Sequence, residues 1–207
     1  MTLLQAAGEW GESVSGESLS YETRRTLEAR AQVLRILRET GIDDRGFFAG
    51  RIVAEIGPGP VGFLEQSGAR LGIAIEPLAR EYQEKHLILP WSNTVYLPVA
   101  VESIPVLDDF VDIVVSRYNL DHVDDPRLAV REIQRILAPG GYFLLIVDID
   151  HQATITEPQA LSRGGVRALV ADFETVREME HEKTDMSASR RFAGVYRKRH
   201  ERVARGV

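Results

Sequence analysis

Three glycines and a downstream carboxylate in the first half of the chain are suited to binding a nucleoside. The stretch VAEIGPGPVGFL at 53–64 carries Gly57, Gly59 and Gly62 with G-x-G-x-x-G spacing after an apolar run. Glycine lets the backbone approach a ligand closely, and a helix that begins after such a loop favours an anionic group. Glu76 follows the next apolar run, where an acid can accept hydrogen bonds from both ribose hydroxyls of an adenosine.

Two features of the same loop argue against NAD as the ligand. Glu55 stands at the end of the first apolar run, where the pyrophosphate of a dinucleotide would meet an unfavourable carboxylate. A carboxylate suits instead a ligand that carries an ammonium group. Pro58 and Pro60 also remove amide donors from the loop that would hold phosphate. An NAD-dependent oxidoreductase is therefore the less favoured alternative.

The elements that must position these residues alternate between short apolar runs and amphipathic segments. Runs typical of strands buried in a parallel sheet occupy 51–57, 71–77, 95–102, 111–118 and 141–150. Helices are predicted from Ser20 to Gly41 and over 61–69, 77–87, 125–137 and 158–171. The last two segments, 173–183 and 191–199, are predicted to form a hairpin.

This alternation predicts an α/β fold. We expect a single doubly wound, Rossmann-like sheet of about seven strands, mostly parallel with the last strand antiparallel, and helices on both faces. Residues 1–19 are predicted to be a flexible arm or lid, 20–200 the folded domain, and 201–207 a basic tail. The apolar face of the first helix is predicted to contain Leu27, Ala31, Leu34 and Leu37.

Composition excludes several classes of protein. The chain has 207 residues, no cysteine and a net charge of −6, so disulfides, thiolate metal sites and cysteine nucleophiles are excluded. The acidic balance argues against a nucleic-acid partner. No apolar run has the length of a membrane span, and the N-terminal residues do not have the pattern of a signal peptide. A cytoplasmic protein without membrane association is expected, and its oligomeric state is not predicted.

The chain resembles a class I S-adenosylmethionine-dependent methyltransferase, and it is most similar to the small type 11 methyltransferase domains. The matching blocks follow the family's order through 51–148: EIGPGPVG, GIAIEPL, AVESIPVLDDFVDIVVSRYNLDHVDDPRLAVREIQRILAPGG and YFLLIVD. The resemblance implies S-adenosyl-L-methionine as cofactor and S-adenosyl-L-homocysteine as product. It implies methyl transfer by in-line displacement to an unidentified acceptor, for which a small molecule is expected. A non-catalytic protein on the same fold, binding the cofactor or a partner, is the alternative.

The resemblance also implies a set of cofactor-binding residues. These are Glu55, Gly57, Pro58, Gly59, Glu76, Pro77, Leu78, Val101, Glu102, Arg117 and Asn119. The first loop would line the methionine end, with its acid mainly orienting water or the loop. Glu76, after the second strand, would hold the ribose. The adenine would be surrounded by Pro77 and Leu78 and, after the third strand, by Val101 and Glu102. For Glu102, a cap or a solvated loop acid is an equal alternative. Arg117 and Asn119, at the end of the fourth strand, would lie near the methyl donor and acceptor.

Histidines near the ends of the fourth and fifth strands are the candidates for acid–base or ligand chemistry. His122, beside Asp121, is the predicted catalytic base for an oxygen acceptor. The alternative is that His122 packs under the following helix. A carbon or nitrogen acceptor needs no such base. The sequence around Asp148, Asp150 and His151 suits a polar acceptor or a metal, but D-x-D-H alone does not define a metal site. No metal site is therefore predicted.

Overall fold

The computed structural model of the chain describes residues 20–88, 93–155, 157–182 and 190–200. The predicted arm at 1–19 and the predicted tail at 201–207 lie outside the described residues. Among the described residues, no helix has the length and apolar character needed to cross a membrane.

A seven-stranded sheet with the order β3-β2-β1-β4-β5-β7-β6 forms the centre of the domain. The strands are β1 Ile52–Ile56, β2 Leu71–Ile75, β3 Thr94–Leu97, β4 Val111–Arg117, β5 Leu137–Ile149, β6 Glu174–Glu182 and β7 Arg190–Arg197. β1 to β5 are parallel, and β7 runs antiparallel to both of its neighbours, β5 and β6. The predicted doubly wound sheet with an antiparallel last strand is confirmed. The strand order reverses between β1 and β4, which is where ligands bind in such sheets.

Four α-helices accompany the sheet among the described residues: α1 Tyr21–Glu39, α2 Ala79–Glu84, α3 Pro126–Ile136 and α4 Arg163–Leu169. One buried cluster contains residues of α1 on one face of the sheet, and a second contains residues of α3 and α4 on the other. Helices on both faces were predicted and are confirmed. Asp125 fixes the start of α3, because its side chain accepts hydrogen bonds from Arg127 N (2.9 Å) and Leu128 N (3.1 Å).

The helix predicted over 61–69 is wrong. Only a single 3₁₀ turn, Leu64–Gln66, forms there. Gly62 and Gly68 weaken a helix at both ends of the segment, and Gly68 adopts the left-handed conformation with φ +74°. The chain therefore turns back to β2 within a few residues.

The apolar face predicted for α1 is also largely wrong. Leu27 and Leu34 are 52% and 54% exposed, and Ala31 is exposed. The face that packs on the sheet side instead buries Ala29, Val33, Ile36 and Leu37, of which only the last was predicted.

Polar residues share that buried face, which explains the difference. Arg25 forms an ion pair with Glu65 and donates to Leu87 O, and Gln32 Nε2 donates to Val61 O at 2.9 Å. Because these partners lie far along the chain, helical periodicity did not reveal them. α1 thereby holds the segment that follows the glycine loop.

Candidate functional site

A cavity of about 340 Å³ opens beyond the carboxyl ends of β1 and β2, beside the point where the strand order reverses. Its wall is formed by Ile56, Gly57, Ile75, Pro77, Ala100, Val101, Glu102, Asn119, His122, Val123 and Asp124. This volume falls in the range of small-molecule sites. The predicted residues in the wall are Gly57, Pro77, Val101, Glu102, Asn119 and His122. The wall does not include Glu55, Pro58, Gly59, Glu76, Leu78 or Arg117.

The glycine loop is held in a left-handed conformation beside Asn119. Gly57 and Gly59 have φ values of +60° and +65°. A Cβ atom on Gly57 would lie 1.9 Å from Asn119 Oδ1, so a larger residue would displace the Asn119 side chain. Asn119 Nδ2 lies 2.9 Å from Ile56 O, 3.1 Å from Gly57 O and 2.8 Å from Arg117 O, so its two N–H groups are shared among these three carbonyl oxygens. The end of β4 is thereby fastened to the loop after β1.

Glu76 connects the loop after β1 to the start of α2. Glu76 is only 6% exposed. Glu76 Oε2 accepts from Gly59 N and Oε1 accepts from Leu78 N, each at 3.0 Å. A carboxylate has about four acceptor positions, so these two bonds leave positions for ligand hydroxyl groups. Its neighbour Pro77 lies in the cavity wall.

Glu55 is buried under the glycine loop rather than exposed in the cavity. Its Oε2 accepts from Phe63 N at 3.1 Å, and the residue is 4% exposed. Burial raises the pKa of Glu55 to about 8, although the positive charge of Arg117 and the backbone hydrogen bond act to lower it. At neutral pH the carboxyl group of Glu55 is therefore mostly protonated, and this neutral group accepts the hydrogen bond that holds the loop. The predicted role of Glu55 at the methionine end of the cofactor stays a prediction.

Glu102 links the loop after β3 to the segment before α3. Glu102 Oε1 accepts from Asp124 N at 2.9 Å and from Asp125 N at 3.2 Å. The residue also lies in the cavity wall. Glu102 Oε1 thus caps two backbone amides beside the cavity, and the binding of adenine by this residue stays a prediction.

His122 lies in the wall with its side chain 41% exposed, and its Nε2 is 3.9 Å from Asp121 Oδ1. Asp121 is buried, and this burial raises the pKa of its carboxyl group. The alternative in which His122 packs beneath α3 does not fit this exposure. The exposed imidazole faces the cavity beside a buried carboxylate.

Sequence reasoning missed a cluster of cationic and aromatic side chains at the end of β4. The guanidinium groups of Arg117 and Arg191 lie 5.1 Å and 4.8 Å from the ring centroid of Tyr118. Tyr118 has φ +54°, which is unusual for a non-glycine residue and typical of functional regions. Burial raises the pKa of Tyr118 to about 12. No sequence signal indicated that Arg191, on β7, would meet this residue.

The structure separates the acidic residues at the end of β5 from the histidine beside them. Asp150 Oδ2 accepts from Arg190 Nη2 at 2.7 Å, and Asp148 Oδ1 lies 3.6 Å from Arg191 Nε. His151 instead approaches Asp121, with 3.7 Å between Nε2 and Oδ2. Asp148 and Asp150 thus contact arginines of β7, whereas His151 lies toward the loop after β4.

Comparison with known proteins agrees with this geometry. Residues 55–145 match the family described as "Methyltransferase domain". An uncharacterized methyltransferase of Mycobacterium sp. (strain JLS) is 30% identical over 149 residues, which are 68% of this chain and 56% of that protein. The chain spans between about a fifth and just over half of the length of the curated relatives it matches.

Solved structures share the fold at low sequence identity. The crystal structure of the YcgJ protein from Bacillus subtilis has a TM-score of 0.59 and 17% identity, covering 84% of this chain and 99% of that one. The structure of the [4+2]-cyclase SpnF has a TM-score of 0.61 and 16% identity, with 82% and 80% covered. The matched domain, the methyltransferases among the relatives and the shared fold together support a class I methyltransferase. Residues 55–145 are the part of the chain that matches the domain of these S-adenosylmethionine-dependent enzymes.

Proposed function

We propose that the chain binds S-adenosylmethionine in the cavity and transfers its methyl group to a small-molecule acceptor. The observation that carries this proposal is Glu76, a carboxylate just behind the cavity wall that adjoins the wall residue Pro77, is fastened to the glycine loop and keeps free acceptor positions. An acid at the end of β2 suits the two hydroxyl groups of a ribose. NAD would share this contact, but it would also bring a pyrophosphate to a loop that contains Pro58 and Pro60.

The cavity wall divides into parts that suit the rest of the cofactor. Apolar groups of Ile75, Pro77, Ala100 and Val101 line the part after β2 and β3, which suits the adenine ring. Gly57 and Asn119 line the side toward β4 and would face the methionine part. The bare Gly57 backbone allows close approach there. Arg117, Gly59, Pro58 and Leu78 would act from outside the wall, and Glu55 would act by holding the loop.

When bound, S-adenosylmethionine supplies an activated methyl group, and the protein supplies position and exclusion of water. The acceptor would lie toward the segments that follow β4 and β5, because the cavity is bounded there by Asn119 and His122. For a hydroxyl acceptor, His122 would remove the proton, with the buried Asp121 carboxylate stabilising the imidazolium. These described segments are short, and we therefore expect a small acceptor rather than a macromolecule.

A turnover assay tests this proposal. The protein is incubated with S-adenosylmethionine and a panel of small molecules that carry a hydroxyl group, an amine or an acidic C–H bond. The S-adenosylhomocysteine formed is quantified by mass spectrometry. Acceptor-dependent release of S-adenosylhomocysteine, lowered by a His122→Asn substitution for a hydroxyl acceptor, would support methyl transfer. Cofactor binding without release across the panel would favour a non-catalytic protein. Failure to bind either adenosyl compound would overturn the proposal.

A further inference from the structure

A buried carboxylate and a largely but not fully buried imidazole lie close to each other where β4 and β5 end. Asp121 follows β4, His151 follows β5, and the two strands are neighbours in the sheet. The side chain of Asp121 is 5% exposed and that of His151 is 12% exposed. His151 Nε2 and Asp121 Oδ2 are 3.7 Å apart. This distance is too long for a hydrogen bond.

His151 presents an unsatisfied atom to this space, because its Nε2 is buried and has no hydrogen-bond partner. Asp121 Oδ2 is the oxygen that approaches it, whereas the unsatisfied Asp121 Oδ1 approaches His122 instead. His151 Nδ1 lies 3.1 Å from Gln152 O, which can only accept, so Nδ1 carries the proton. A neutral imidazole then turns the Nε2 lone pair toward a carboxylate. Buried polar atoms are normally satisfied, and an imidazole oriented by a bond from its other nitrogen is the arrangement that metal-ligating histidines share.

Glu157 is the third member of the group, and its Oε2 lies 3.8 Å from His151 Nδ1, so it must swing toward Nε2 to share an ion. One ligand atom from each of Asp121, His151 and Glu157 lies within 4.8 Å of the other two. The ligands of a tetrahedral ion, with bonds of about 2.1 Å, lie roughly 3.4 Å apart, so the group must contract. Glu157 allows this, because its side chain is 41% exposed.

The loop that carries Glu157 is fixed against the loop after β4. Gln159 N donates to Asp121 O at 3.2 Å, and Gln159 Nε2 donates to Val123 O at 3.1 Å. Glu157 N donates to Thr154 Oγ1 at 2.9 Å. These bonds join the two loops directly beside the ligand group, so they fix the backbone that carries Asp121 and Glu157 and leave the Glu157 side chain able to move.

We propose that Asp121, His151 and Glu157 bind a divalent first-row transition-metal ion. One imidazole with two carboxylates suits Mn²⁺, Fe²⁺, Co²⁺ or Zn²⁺, whereas Mg²⁺ and Ca²⁺ prefer oxygen ligands alone. Three protein ligands leave at least one position open. Because Asp121 adjoins His122 in the cavity wall, an oxygen atom of the methyl acceptor is the ligand that this position would take. This use of the ion rests on the proposed function, but the binding of the ion does not.

The test is a titration of the full untagged chain with Co²⁺ in the absence of S-adenosylmethionine, followed by visible d–d absorption and by calorimetry. We expect saturation at one ion per chain, at least about tenfold weaker in His151→Asn and in Glu157→Gln. The matched control is His86→Asn, since His86 is exposed and its φ of +54° tolerates asparagine. A parallel titration with Mg²⁺ is expected to show no binding.

Two results would overturn the proposal: no saturable binding of Co²⁺, or equal affinity in wild type and Glu157→Gln. The former would mean that Asp121, His151 and Glu157 meet without an ion between them. If His151→Asn does not fold by circular dichroism, the partly exposed Glu157→Gln decides the outcome alone. Because no cofactor is present, the result does not depend on whether the protein transfers methyl groups.

Discussion

The buried carboxyl group of Glu55 should make the domain less stable as pH rises from about 5 to 8. Its pKa is about 8 in the folded protein against 4.5 for an ordinary glutamate. Because the pKa of Glu55 is higher in the folded protein than in the unfolded chain, its contribution to the free energy of unfolding is fully present below about pH 4.5. That contribution is lost as pH rises through about 8. In that window the folded protein must hold a proton that the unfolded chain releases.

The magnitude follows from linkage. Each pH unit within the window lowers the free energy of unfolding by up to about 1.4 kcal/mol, or about 2–3 kcal/mol between pH 5 and pH 7. Glu55→Gln removes this dependence, because the amide stays neutral and its oxygen can still accept from Phe63 N. Urea unfolding at pH 5, 6 and 7, followed by circular dichroism, should therefore show a steeper loss of stability in wild type than in Glu55→Gln.

The exposed acid Glu84 provides the control, since Glu84→Gln should keep the wild-type slope. Parallel pH profiles for wild type and Glu55→Gln would refute the reasoning. They would mean that the nearby Arg117 accommodates an ionised carboxylate at this position.

Three further substitutions test the contacts that build the site. Gly57→Ala adds a Cβ atom 1.9 Å from Asn119 Oδ1, so binding of S-adenosylhomocysteine by calorimetry should weaken at least about tenfold, and unchanged affinity would contradict the role of the loop. Asp125→Ala removes the cap of α3 and should lower the free energy of unfolding by about 1 kcal/mol in urea titration, whereas Asp125→Asn should retain most of it. Arg25→Met leaves the buried Glu65 unpaired and should cost about 3 kcal/mol in the same assay. The double variant with Glu65→Met should recover much of this loss, and equal losses in both would argue against a buried pair.

The arrangement of the sheet could be predicted because its strands are continuous runs of β-branched residues that need burial on both faces. The runs that became β1, β4 and β5 fall within a residue or two of their predicted ends, except that β5 begins earlier, at Leu137. The glycine loop was recognisable for a similar reason, since Gly57 and Gly59 take positive φ values that glycine adopts freely.

Contacts between residues distant in sequence could not be predicted. The buried face of α1 includes Arg25 and Gln32, whose partners become apparent only in the folded chain. The same holds for the meeting of Asp121 with His151, because nothing local to either residue specifies the other. Periodicity reports which residues avoid water, but it does not report which polar residues are buried with a partner.

The [4+2]-cyclase among the solved structures shows that this fold also occurs in a protein with a different reaction. Evidence for the cofactor must therefore come from the site itself. The carboxylate of Glu76 is the contact whose loss should affect an adenosyl ligand most specifically.

The most direct measurement is calorimetric titration of wild type, Glu76→Gln and the exposed control Glu81→Gln with S-adenosylhomocysteine, S-adenosylmethionine and NAD. We predict that wild type and Glu81→Gln bind both adenosyl compounds and bind NAD much more weakly. Glu76→Gln should lose about 10- to 100-fold in affinity, as expected for charge-assisted hydrogen bonds. Absence of adenosyl binding, preference for NAD, or equal affinity in Glu76→Gln would contradict the assignment of this cavity to S-adenosylmethionine.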